Sequence, residues 1–247
     1  MSAPAPPLQR VLAQARFETT TLLRNGEQLL VAIVLPAMAL VGLTLSPYPD
    51  LGDRARIDVV APGVLALAVA STAFTWQAIS TAFDRRYGVL RMYGVSPLGR
   101  GGLLAGKALA VLAVLAVQVV VLSLIAAVLG WRPDAAGIVP ALVGLLLGVA
   151  AFIGLALLLA GTLRAEGVLA LANLLWVVLL GLGLLVPVSA LPTWAQGPAQ
   201  WLPSGALGEA MRTALVTGGW PGTHWLVLAA WAALTWAVSL RTFRWAP

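Results

Sequence analysis

The sequence predicts an all-α membrane protein: six transmembrane helices, an N-terminal amphipathic interfacial helix, and both termini in the cytoplasm. Three observations carry this. Of 247 residues, 60% are hydrophobic and only 10% charged, whereas a soluble domain carries about 25% charged residues. Mean hydropathy is +0.94, so lipid is the expected solvent for most of the chain. Six apolar runs recur, near 28–46, 60–82, 102–130, 138–162, 167–190 and 223–240, against the roughly 20 helical residues that cross a bilayer of about 30 Å. The segments between them sort by charge.

Residues 1–27 come first. They lack the order of a cleavable signal, so the first apolar run is expected to stay as an anchor. Leu8, Val11, Leu12, Ala15, Thr19, Leu22 and Leu23 follow the i, i+3, i+4, i+7 rhythm of one helical face. Arg10, Gln14 and Arg24 point away from it, and Phe17 does not fit. Such a helix lies in the headgroup layer with Arg10, Arg16 and Arg24 near anionic lipid. A plain basic topology signal is the alternative.

The charge bias sets the orientation of residues 28–247. The N-terminus (Arg10, Arg16, Arg24), the 83–107 stretch (Arg85, Arg86, Arg91, Arg100, Lys107), the turn at Arg164 and the C-terminus (Arg241, Arg244) hold eleven basic residues. The opposite set, 47–59, 131–137 and 191–222, holds four: Arg54, Arg56, Arg132 and Arg212. Basic loops stay inside, so both termini are cytoplasmic. Trp131, Trp194, Trp201, Trp220 and Trp225 fall at the outer interface and Trp245 at the inner one. Trp76, Trp176, Trp231 and Trp236 suit packing between helices. Lys107, at the start of the third run, is expected to snorkel outward.

The 83–101 loop has more pattern than a topology signal needs. Asp84 to Tyr93 continues the second span as a helix until "GVSP" breaks it. Val89, Leu90, Met92 and Tyr93 stand as apolar knobs among Arg85, Arg86 and Arg91, which suits docking into a groove on a soluble partner. Small residues at four-spacing (Gly102/Gly106, Gly144/Gly148, Ala150/Gly154) permit close helix approach. The few polar residues within the spans (Ser71, Thr72, Thr75, Gln77 and Ser80 on the second, Gln118 and Ser123 on the third, Asn173 on the fifth) are expected to hydrogen-bond between helices, with a pathway lining as the alternative. The stretch 191–222 is apolar for a loop, with a helix expected near 204–216 starting at Ser204. In it Glu209 and Arg212 lie three apart and can pair on one face.

Several chemistries have no residues to support them. Cysteine is absent, which removes disulfides and thiol nucleophiles. "GRGGLLAGKAL" (99–109) is a poor phosphate loop, since Ala108 follows Lys107 and no strand precedes it. The spans hold almost none of the ionisable residues that proton-coupled carriers use. His224, the single histidine, reads as interfacial filler. No catalytic or metal-binding set is visible, and no basic stripe with interleaved aromatics points to nucleic acid. One Lys against fourteen Arg, with abundant Ala and Gly, suits a GC-rich bacterial genome.

Three stretches carry a resemblance. "ARFETTTLLRNGEQLLVAIVLPAMAL" is similar to the connecting helix and proline-bearing first span of ABC-2 type exporter permeases, the family that includes the DrrB-like drug exporters. The "FDRR-G-L-PL-R-LL-GK" pattern of 83–107 resembles that family's coupling loop, and "WLPSGALGEAMRTAL" (201–215) its proline-led external segment. Together they cover nearly the whole chain. The resemblance implies two six-span permease subunits, identical or related, each docked on a cytoplasmic ABC ATPase that binds the ATP and Mg; this chain would carry no cofactor and no catalysis of its own. It places the ATPase contact on Asp84, Arg85, Arg86, Val89, Leu90, Arg91, Met92 and Tyr93. It folds 191–222 back into the outer leaflet, with Glu209 and Arg212 as either an outer gate or part of a dimer seal. The expected localisation is the bacterial inner membrane, and the expected cargo a lipophilic or amphipathic drug, antibiotic or lipid. A haem or glycan exporter subunit, or a non-transporting scaffold or immunity protein, remains the alternative.

Overall fold

In the computed structural model the described residues are 5–24, 26, 30–48, 50, 51 and 54–244; Trp245 and the start of the first apolar run lie outside them. Helices dominate, with no strand among the described residues. They are α1 (Pro7–Arg24), α2 (Leu35–Leu45), α3 (Arg56–Arg86), α4 (Val89–Gly94), α5 (Gly99–Val128), α6 (Ala135–Thr162), α7 (Ala165–Leu184), α8 (Thr193–Trp201), α9 (Pro203–Thr217) and α10 (Gly222–Thr242). Five of them (α3, α5, α6, α7 and α10) are long and apolar enough to cross a membrane. The first of the six expected runs forms only the shorter apolar helix Ala32–Leu45.

The centre of the fold is α3, 89% buried across its most apolar window. Its small side chains allow that. Gly63 packs so closely that an added Cβ would lie 2.5 Å from the Leu184 carbonyl oxygen. A π-helical stretch, Ala70–Trp76, interrupts α3. Two of its hydroxyls bond outward: Thr72 Oγ1 lies 2.9 Å from Gln118 Oε1, and Trp176 Nε1 donates to Ser71 Oγ at 2.9 Å. Asn173 differs from expectation and bonds within its own helix, to the Leu169 carbonyl.

The four-spaced small residues are contact faces. Gly102 and Gly106 receive Val11 and Gln14 of α1, Gly148 receives Leu207 of α9, and Gly154 receives Thr235 and Trp236 of α10. Trp236 Nε1 and Ser239 Oγ then donate to the carbonyls of Ala150 and Gly154, at 3.0 and 3.2 Å. A Gly154→Val substitution would collide with Thr235. It is expected to destabilise the fold by about 2 kcal/mol, read as a lower thermal midpoint in mild detergent; an unchanged midpoint would show that α10 can move away freely.

Several expectations need correction. Gln14 was placed on the outward face of α1 but is buried, because Gly106 leaves room for it. Only half of the apolar stripe packs inward (Val11, Ala15, Leu22), while Leu8, Leu12 and Leu23 stay exposed. Lys107 does not snorkel; it is 2% exposed. Ser204 does not cap α9. It is buried in the first turn and donates to the Leu182 carbonyl at 2.7 Å, while Leu202 holds the cap position. The helix after the second span breaks at Gly88 (φ +75°), a conformation glycine adopts without steric cost, ahead of "GVSP". Trp131 is buried against the protein.

Candidate functional site

The arginine-rich end is built on the last turn of α3. Three consecutive side chains there tie α3 to three other elements. Asp84 Oδ2 lies 2.8 Å from Lys107 Nζ on α5. The Arg85 guanidinium donates to the carbonyl of Leu163, where α6 ends. Arg86 pairs with Glu166 in the first turn of α7. Lys107 has a second partner, Glu18 of α1, at 2.9 Å, and Gln14 Nε2 donates to the same carboxylate at 3.0 Å. A buried ammonium is costly unless paired and hydrogen-bonded. Here two carboxylates from two elements hold it.

Beyond Gly88, α4 lays one side against the protein and leaves the other open. Leu90 is 1% exposed and Val89 and Tyr93 are half-buried. Arg91 and Met92 point outward, Met92 at 62% exposure. Tyr87 (71%) and Val95 (88%) join it. Of the eight residues read from sequence, Arg91 and Met92 therefore form open surface. Arg86 is exposed but paired. Asp84, Arg85 and Leu90 serve internal contacts. Tyr87 and Val95 were missed. The signal was present as apolar residues flanking the arginines.

Arg10 also belongs to this end. Its guanidinium donates to the Pro97 carbonyl, tying α1 to the loop after α4. Arg16 and Arg24 are exposed.

The opposite end holds the second cluster. Here α7 unwinds at Leu182 and Gly183, the latter at φ +95°. That leaves carbonyls without helical donors in a buried place. Arg212 of α9, 7% exposed, supplies them: its guanidinium donates to the carbonyls of Leu184 (3.0 Å), Val186 (3.3 Å) and Gly183. Glu209 lies 3.2 Å from it and also accepts from Val188 N at 2.9 Å. Burial pulls the Arg212 guanidinium below its ordinary pKa, and Glu209 opposes that shift. The i, i+3 pair read from sequence is thus formed, and its work is to cap a broken helix.

Among the described residues no group of His, Cys, Asp and Glu is placed to hold a metal ion. The arrangement offers a rigid, pinned platform with an apolar and cationic outer surface at one end, and a clamped helix break at the other.

Comparison with curated proteins gives no match. Comparison with protein families does: the model described as ABC-2 type transporter matches residues 9–216, from α1 into α9. With that match across most of its length, and its membrane-crossing helices, the chain belongs to the ABC-2 type transporter family, as an integral membrane permease component distinct from the ATPase.

Proposed function

We propose that this chain is the permease subunit of a bacterial exporter that moves a lipophilic or amphipathic compound out of the cell, powered by a separate cytoplasmic ATPase. The arginine-rich end faces the cytoplasm, in keeping with eleven basic residues on that side against four on the other. A second copy or a related chain completes the pathway. The Ala32–Leu45 helix, in the first of the six apolar runs, is the sixth span. The exposed Leu8, Leu12 and Leu23 of α1 sit in the inner headgroup layer, with Arg16 and Arg24 beside anionic lipid.

At the outer side, α8 and α9 form a re-entrant hairpin. Three contacts support its depth. Trp231 Nε1, well inside α10, donates to the Trp201 carbonyl at 2.8 Å. Leu207 packs on Gly148, midway along α6. The far end of α9 returns to the surface, where Asp134 N donates to the Leu215 carbonyl at 3.0 Å. Glu209 and Arg212 then act as the outer gate, since the same hairpin must move for cargo to leave.

The observation that carries the reading is the exposure of Tyr87, Met92 and Val95 together with Arg91, next in sequence to a turn pinned by Asp84, Arg85 and Arg86. An ATPase groove closing on it would push α3, α5 and α7 together. Replacing Met92 and Val95 by Asp tests this. Both side chains are exposed, so the folded permease should survive. Co-purification of the ATPase from the native membrane is expected to fall about tenfold, and drug- or lipid-dependent hydrolysis with it. Full recovery of an active complex would place the docking surface elsewhere.

A further inference from the structure

A slot between α5 and α6 remains unexplained by transport coupling. These helices are consecutive in the chain yet diverge near their shared turn, leaving a cavity of about 300 Å³. Val119, Ser123 and Ala127 line one wall, and Ile138, Ala141 and Leu145 the other. Leu65 of α3 and Met211 and Leu215 of α9 form the floor. The slot is almost wholly apolar. Its neighbours along the two helices, including Val120, Leu124, Val139 and Leu146, are exposed apolar side chains.

Three features say what fills it. The first is length. Val119 to Ala127 spans about 12 Å of helix, close to the half-thickness of a hydrocarbon core of about 30 Å. A chain entering from the Trp131 end would fill one leaflet's depth. The second is the upper end. The amide of Trp131 bonds back to the Ala126 carbonyl and that of Gly130 to the Ala127 carbonyl, at 2.9 and 3.0 Å. This helix-ending motif folds Trp131 inward to line the top of the slot. The third is charge. Arg132 follows at once, exposed, with no ion pair among the described residues. An apolar slot about 12 Å long, with the exposed Arg132 next in sequence to the lining residues Trp131 and Pro133, suits a phospholipid: tail below, phosphate above.

We infer that the α5–α6 slot is a binding site for one phospholipid, its acyl tail between Ser123 and Ala141 and its phosphate at Arg132. The tail touches Met211 and Leu215, which flank Arg212 on α9. The lipid therefore rests directly on the helix that carries the outer clamp.

The experiment uses the full chain in nanodiscs containing phosphatidylglycerol with a diazirine near the end of one acyl tail. After irradiation, cross-linked residues are mapped by peptide mass spectrometry. The label should concentrate on the slot walls, and Ser123→Phe or Ala127→Phe, both at partly open positions, should lower it by about tenfold. Arg132→Glu should lower it several-fold without filling the slot. Thermal midpoints check that each variant is folded, and having two fillers keeps the test decisive if one is not. Label spread evenly over the outer flanks, and indifferent to all three substitutions, would reduce the slot to ordinary annular lipid contact and overturn the site. Label displaced by a non-phospholipid efflux compound, or a cross-link joining two copies through the slot, would overturn the phospholipid as its occupant.

Discussion

Replacing Lys107 by Met is expected to release α1 from α5 and to destabilise the protein by about 3 kcal/mol. The ammonium is 2% exposed and joins Glu18 and Asp84, whose side chains are 13% and 30% exposed. Without it, two carboxylates face each other across a poorly hydrated gap. Their partial access to solvent puts the loss at the lower end of what a broken buried pair costs. The triple change Lys107→Met, Glu18→Gln, Asp84→Asn removes charge from all three sites and should recover most of the loss, because the amides can still bond to one another. Two readouts check this: the thermal midpoint in mild detergent, and proteolysis within α1, where Phe17 and Leu12 are already exposed. A single Lys107→Met variant with an unchanged midpoint and an uncut α1 would show that the triad contributes little. In the proposed exporter the same variant should hydrolyse ATP with transport diminished, since Asp84 links the docking turn to α5.

What was legible in the sequence were properties of single segments. Apolar run length gave the membrane-crossing helices, and the i, i+3 spacing of Glu209 and Arg212 gave their pairing. Residues that meet across long sequence separations were not legible. Nothing in the neighbourhood of Lys107 points to Glu18, which lies on a different helix. A lone lysine at the edge of an apolar run is physically compatible with snorkelling, and only the packing of α1 on Gly102 and Gly106 excludes water there. Leu90 was read as an outward knob for the same reason. Its alternation with arginines fits either face of a short helix until Gly88 fixes which way α4 turns. The π-helical stretch Ala70–Trp76 has no composition that marks it; its register depends on Trp176 and Gln118, carried by other helices. Ser204 illustrates the competition between local and tertiary bonds. It sits next to a proline at a helix start, a good capping place, yet its hydroxyl goes to the broken end of α7.

Arg212→Leu is expected to be the most damaging single change, costing at least about 4 kcal/mol and leaving little folded protein. The guanidinium serves three carbonyls of the unwound Gly183–Val186 segment and the Glu209 carboxylate at once. Leucine would strand all of them. Each buried carbonyl left unpaired costs about 1–3 kcal/mol, and no helical donor can replace the lost one because α7 has already ended. Arg212→Lys separates charge from geometry. A lysine keeps the pairing with Glu209 but offers a point donor in place of a planar fork, so the midpoint should fall between wild type and Arg212→Leu. Glu209→Gln keeps an oxygen for Val188 N and for Arg212, and should cost only about 1 kcal/mol. The expected order of midpoints is wild type, Glu209→Gln, Arg212→Lys, Arg212→Leu. If Arg212→Lys matched wild type, the site would need only a positive charge, and the fork-to-carbonyl geometry would be incidental. If Glu209→Gln were worse than Arg212→Lys, the ion pair and not the capping of α7 would hold the hairpin. The order matters for the proposed gate as well. Gly63 of α3 lies against the Leu184 carbonyl and 3.0 Å, measured from an added Cβ, from Arg212 Nη1. In the proposed exporter, a push on α3 from the Asp84–Arg86 end would reach this clamp through that contact.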